Sequence, residues 1–189
     1  MKSVPSISSQ IDENKIFKII NKNFSKLAPS YYKLISNWLI RAYHVFEDID
    51  KYLIVVYLIN NDFIFFRRHA IVVDFDTFFK EKTLEIEKIN ISDISKDLQI
   101  PKESVRRKVY ELEKKGVIKK FKKKIFIDRT VISKYFPVNN RITTLNEVSS
   151  LLYEFNKLLK EENEISKTFE IHQITSSLKE NYTFCWYQF

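Results

Sequence analysis

Apolar residues recur along most of this chain at the three- and four-residue spacing of amphipathic helices. Over residues 12–27 they fall at Ile16, Phe17, Ile19, Ile20, Phe24 and Leu27, which predicts a helix, and Pro29 is read as its end. A second helix is predicted over 30–46, with Tyr31, Leu34, Ile35, Trp38, Leu39 and Ala42 on one face. Residues 51–66 are apolar nearly all round, the pattern of a helix buried on every side or used at an interface. Asp48 or Asp50 is placed to cap it. The run YLIVVYLI inside it also suits a short buried strand, because periodicity does not separate the two in so short a stretch. Residues 67–79 read as strand or helix, with helical character resuming by Phe78. Beyond residue 140, Val148, Leu151, Leu152, Phe155, Leu158 and Leu159 form a helical stripe that ends at Glu161 and Glu162. A further helix is expected over 164–178, and the aromatic end, YTFCWYQF, has to dock on something. Residues 1–10 read as a loose tail.

The middle of the chain has a different rhythm. Ser92 is placed to cap a short helix over 93–98 with Ile94 and Leu98 inward. Gln99 and Ile100 leave only a tight connection before Pro101, which suits the first turn of the next helix because its missing N–H costs nothing there. That helix is predicted over 101–115. Gly116, the only glycine in 189 residues, follows where a left-handed C-cap calls for one. Two short β-like runs, 117–121 and 125–128, enclose Lys122, Lys123 and Lys124.

Composition excludes several classes. A single glycine leaves no room for a phosphate-binding loop or a dinucleotide fingerprint. One cysteine, Cys185, excludes an intramolecular disulfide framework and any cysteine-based zinc site. His44, His69 and His172 lie far apart and show no ligand spacing. Asp48 with Asp50, and Asp74 with Asp76, are read as caps and turns rather than as paired catalytic carboxylates. No catalytic constellation, metal site or cofactor is therefore expected, and the chain is not read as an enzyme. No apolar run reaches bilayer length and the N-terminus lacks the apolar core of a secretion signal, so a cytoplasmic protein without membrane contact is expected.

Charge is concentrated. Residues 96–129 carry 13 basic and 5 acidic side chains, whereas the remaining residues carry 19 of each sign. All of the net charge of +8 thus falls in one segment, which points to a polyanion partner. On the 101–115 helix, Val105, Val109 and Leu112 share an inward face. The opposite face holds Glu103, Arg107, Tyr110 and Lys114, with Lys102 and Arg106 beside it.

A short helix, a tight turn, a second helix and a basic hairpin make the layout of a winged helix-turn-helix. The run IPKESVRRKVYELEKKGVI resembles the recognition helix and first wing strand of bacterial winged helix-turn-helix transcriptional regulators, broadly of the MarR-like type; the likeness covers about residues 89–129. It implies a sequence-specific regulator of double-stranded DNA, acting as a homodimer. The recognition helix then enters the major groove with its N-terminal half. Arg106 and Arg107 are candidates for guanine contacts and Glu103 for a cytosine amino group. Lys102 and Ser104 are candidate phosphate contacts, as are Lys120, Lys122, Lys123 and Lys124 in the wing. Tyr110 and Lys114 complete the candidate DNA-facing set.

The expected fold is mainly α: a winged helix-turn-helix with a small hairpin wing, flanked by helices. Its parts are an N-terminal helical region over 11–82 for packing and dimerisation, the DNA-binding unit over 83–130, and a C-terminal helical region over 131–189. The apolar segments at 52–66 and 148–159 are expected to hold the dimer, unless they pack against each other within one chain. The competing functional reading is a phage or plasmid replication or assembly protein using the same unit to bind DNA or protein. The sequence assigns no small-molecule effector.

Overall fold

The computed structural model describes residues 12–80, 83–86, 90–121, 124–135 and 138–186. Helices dominate. Four precede the first strand: α1 (Glu13–Lys22), α2 (Phe24–Phe46), α3 (Ile49–Arg68) and α4 (Phe75–Lys80). Strand β1 (Thr83–Ile86) leads to α5 (Ile91–Leu98) and α6 (Lys102–Lys114), then to β2 (Ile118–Phe121) and β3 (Lys124–Asp128). Four helices follow: α7 (Arg129–Tyr135), α8 (Val138–Glu161), α9 (Ile171–Glu180) and α10 (Tyr182–Trp186). Among the described residues, no helix is long and apolar enough to cross a membrane.

The expectation that Pro29 ends the first helix is corrected. The break falls at Asn23, whose side-chain amide donates to the Ile19 carbonyl at 3.1 Å and so satisfies an end group of α1. Pro29 lies inside α2. It withholds a hydrogen bond from the Ser25 carbonyl, but both residues are exposed, where water can serve that oxygen. The packing face of α2 is also narrower than predicted: Leu34 and Ala42 are buried, whereas Tyr31 and Leu39 are each 44% exposed.

Helix α3 starts two residues earlier than predicted because Asp48 is its cap. Its Oδ1 accepts from the backbone N–H of Asp50 at 2.9 Å and of Lys51 at 3.3 Å. The strand reading of YLIVVYLI therefore falls away. The ambiguous run after it resolves into the short helix α4, and Val73 pairs with α10: its N–H donates to Thr183 Oγ1 at 2.8 Å and its carbonyl accepts from the Thr183 N–H at 3.1 Å.

The sheet has order β1-β3-β2, antiparallel throughout. In its register Leu84 faces Ile127 on one side of β3 and Ile118 faces Ile127 on the other. Strand β1 was not among the predicted strands. Nor was α7, capped by Asp128, whose Oδ1 accepts from the Thr130 N–H at 2.9 Å. The helix expected over 164–178 begins only at Ile171.

Among the described residues, three apolar clusters form the core. The largest joins Ile54, Val55 and Leu58 of α3 to Ile94 of α5, Val105, Val109 and Leu112 of α6, and Ile118 and Ile127 of the hairpin. The second sets Ile19 and Leu27 against Leu158 and Leu159. The third packs Phe63, Phe75, Phe78 and Tyr182, with the Phe63 and Phe78 rings stacked at 5.3 Å. Polar bonds also tie α2 to α8: Arg41 forms a bidentate pair with Glu147 at 2.6 and 3.3 Å, and Asn37 donates to the same carboxylate at 2.7 Å. The apolar run of α3 packs in the first of these clusters, and the end of the α8 stripe, Leu158 and Leu159, in the second; the two runs do not meet there, and Val148 and Leu152 of α8 stay half-buried outside all three clusters.

Candidate nucleic-acid interface

The most basic part of the chain folds around α5 and α6. Helix α5 is capped two residues earlier than the sequence suggested, by Asn90 rather than Ser92. The Asn90 side chain takes the backbone N–H of Asp93, and the Asp93 carboxylate reaches back to the Asn90 N–H at 3.2 Å, a capping box. At the other end Gln99 adopts φ +55°, the left-handed region. Two side chains fasten that turn: Gln99 donates from Nε2 to the Lys96 carbonyl at 2.6 Å, and Ser95 donates from Oγ to the Ile100 carbonyl at 2.7 Å. These bonds offset the cost of a side chain in αL. Ile100 is then buried, and Pro101 stands at the N-cap of α6 with its carbonyl accepting from the Val105 N–H.

Helix α6 ends as predicted. Gly116, at φ +76°, donates to the Glu113 carbonyl at 2.9 Å, and Val117 donates to the Leu112 carbonyl at 3.0 Å, the two bonds of a Schellman motif. Val105, Val109 and Leu112 face inward and are almost fully buried. Lys102, Glu103, Arg106, Arg107, Tyr110 and Lys114 are all exposed, and Ser104 is half-buried. The exposed set forms one arc of the helix at 100° per residue.

The cations of the segment are not equally available. Lys108, on the inner edge of α6, is only 8% exposed; it contacts Asp48 closely and Asp50 at 3.3 Å. Lys51 pairs with Glu111, Lys115 lies 3.5 Å from Glu47, and Lys119 lies 2.6 Å from Asp128. Glu47, Asp48 and Asp50 therefore bring to α6 negative charge that the linear count had placed elsewhere. Asp48 was foreseen only as a helix cap; its second oxygen, Oδ2, is the one that meets Lys108. Burial alone would raise the Asp48 carboxyl, but the bonds from Lys108 and from the α3 backbone outweigh it, and its pKa lies below the ordinary value. The same two carboxylates hold the Lys108 ammonium above its ordinary value despite burial.

On the outer arc, Arg106 donates to both oxygens of Glu103 at 2.7 and 2.9 Å, and Arg107 lies 4.0 Å from Glu111. Both pairs are exposed and hence weak, so either guanidinium is readily released to a competing anion. Lys96, Lys102 and Lys114 have no carboxylate within salt-bridge distance among the described residues. Lys120 belongs to β2 and Lys124 to β3, facing Ile125 and Phe121 in register. Their side chains, and Lys122 and Lys123 as a whole, lie outside the described residues.

No protein-family model matches this sequence, and neither a curated protein nor a solved structure gives a match.

Proposed function

We propose that this chain is a sequence-specific double-stranded DNA-binding transcriptional regulator of the winged helix-turn-helix kind, acting in the cytoplasm. The observation that carries the reading is the exposed arc of α6. It presents Lys102, Arg106, Arg107, Tyr110 and Lys114 against one acid, Glu103, on a helix whose other side is locked into the main core. The surrounding order supports it: α5, a tight turn, α6, then a hairpin, with β1 on the far side of β3. In this arrangement α6 lies in the major groove, where Arg106 and Arg107 exchange their helical carboxylates for guanine O6 and N7. Lys102, Ser104 and the wing lysines 120 and 122–124 bear on phosphates.

Selection of bound duplexes from a random DNA library tests the proposal. A defined motif is expected. Arg106→Ala or Arg107→Ala should then cost about 1–3 kcal/mol at that motif and relax one base position. Failure to enrich any motif, or full discrimination in both variants, would overturn the assignment of α6. Alanine at Lys122, Lys123 and Lys124 should weaken all duplexes alike and reduce the salt slope by about 0.9 for each phosphate that is no longer neutralised.

A further inference from the structure

A second site stands apart from the α6 arc. Between the main core and the C-terminal helices lies a cavity of about 230 Å³. Its walls come from six helices, through Trp38 of α2, Phe63 of α3, Phe79 of α4, Ile132 of α7, Leu145 of α8 and Tyr182 of α10. It is larger than the roughly 150 Å³ apolar cavity that takes up benzene. Walls of this kind give water few hydrogen-bond partners, and an unfilled space forfeits the contacts its lining would make.

The polar part of the lining has one sign. Two arginines, Arg129 and Arg141, reach the cavity, and among the described residues no aspartate or glutamate lines it. Arg129 lies with its guanidinium 3.9 Å from the Phe78 ring centre and donates to the Phe78 carbonyl. The Arg141 guanidinium lies 4.3 Å from the Phe79 ring centre and donates to Ser133 Oγ at 2.5 Å. No carboxylate approaches Arg141 within salt-bridge distance among the described residues, although the side chain is half-buried. That burial pulls its pKa below the ordinary arginine value, the response of a cation that lacks an anion. Thr144 is already engaged: its hydroxyl accepts from Arg41 and donates to the Asn140 carbonyl. An open cleft lined by Phe75, Asp76, Phe79, Lys80 and Arg141 adjoins the cavity. Arg141 thus stands where the apolar interior meets the solvent side, with Lys80 adding positive charge there and Asp76 opposing it.

The geometry points to a binding site for a small amphipathic carboxylate, its hydrocarbon part in the cavity and its carboxylate on the Arg141 guanidinium. The match is one of chemistry. An apolar chamber takes the tail, and a planar guanidinium takes a carboxylate through two parallel N–H···O bonds. The site does not depend on the DNA-binding reading, because none of its residues lies on the exposed arc of α6.

Calorimetric titration of the full chain with octanoate, 1-octanol and octylamine tests this. Octanoate should bind at least tenfold more tightly than the alcohol, and octylamine most weakly. Arg141→Gln should lower octanoate affinity about tenfold to hundredfold, the usual worth of a hydrogen bond to a charged group, while leaving octanol binding unchanged; the retained octanol binding also reports an intact cavity. Arg141→Lys should keep the preference for octanoate over octanol. Ala42→Leu, which places a branched side chain on the cavity wall, should weaken both ligands. The proposal is overturned if wild type binds no octanoate at millimolar concentration, if it binds octanol as tightly, or if Arg141→Gln binds octanoate unchanged.

Discussion

Among the described residues, an added Cβ at Gly116 would meet only Val131 Cγ2, at 3.7 Å, which is an ordinary van der Waals approach. The cost of Gly116→Ala is therefore backbone strain alone. At φ +76° that amounts to about 1–2 kcal/mol for a residue with a side chain, and urea unfolding should show this loss. Asp128 is a second residue with several duties. It caps α7, accepts from Lys119 at 2.6 Å, and its own N–H donates to the Val117 carbonyl. Burial pushes its carboxyl up, yet the bonds from Lys119 and Thr130 prevail and hold it at about 2. A folded pKa below the unfolded value of 3.8 means that this stabilisation is complete above the unfolded pKa and is lost as pH falls toward 2. Asp128→Asn should accordingly be less stable than wild type at about pH 5 and above, and the gap should close on acidification toward about pH 2. A constant gap across that range would show that the carboxylate's charge is not what matters.

Among the elements, the pairing of α3 with α6 bears most on the candidate interface, because it sets which way the outer arc of α6 faces. Apolar packing supplies the bulk of it, and the ion pairs Lys108–Asp48, Lys108–Asp50 and Lys51–Glu111 lie along its edge. Lys108→Met keeps the apolar stem but leaves Asp48 Oδ2 without its cation, which should cost about 1–3 kcal/mol. Asp48→Asn retains a side-chain oxygen for the α3 cap, so adding it to Lys108→Met should recover part of the loss. A thermodynamic double-mutant cycle measures that coupling, and additive single costs would show the pair to be inert. This seam also marks the limit of what the chain's pattern reveals. Helix α6 and its cap were legible because Val105, Val109 and Leu112 recur at helical spacing and Gly116 follows them. The outer arc was legible for the same reason. Strand β1 was not, since four residues of TLEI carry too short an alternation, and its partner β3 lies about 40 residues away. The pairing of Lys108 was hidden too: only the folded chain brings residues 48 and 108 together, so a linear charge count overstated the free positive charge on α6.

For the molecule as a whole, what remains outside the three apolar clusters is as informative as what lies within them. Of the segments expected to offer a dimer surface, α3 packs Ile54, Val55 and Leu58 into the main core, and α8 buries Leu158 and Leu159 while Val148, Leu151, Leu152 and Phe155 stay half-buried. The large exposed apolar side chains gather instead on the N-terminal helices: Phe17 of α1 is 65% exposed, and on α2 Ile40 and Tyr43 are 54% and 55% exposed. Tyr32, Leu39, Ile40 and Tyr43 share one face of α2 at helical spacing. Exposed apolar side chains gathered on one helix face, here with Ser36 among them, suit a protein contact, and a two-fold pairing through it would let two α6 helices read two half-sites about one helical turn apart. If the DNA-binding reading holds, sedimentation at micromolar concentration should give twice the mass of one 22.8 kDa chain. The double variant Ile40→Glu, Tyr43→Glu replaces exposed residues, so it should fold normally yet sediment as a single chain. It should retain binding to one half-site while losing the added affinity for a palindrome. A wild-type species at 22.8 kDa that does not shift when a palindromic duplex is added would exclude this dimer and leave a regulator that reads a single site.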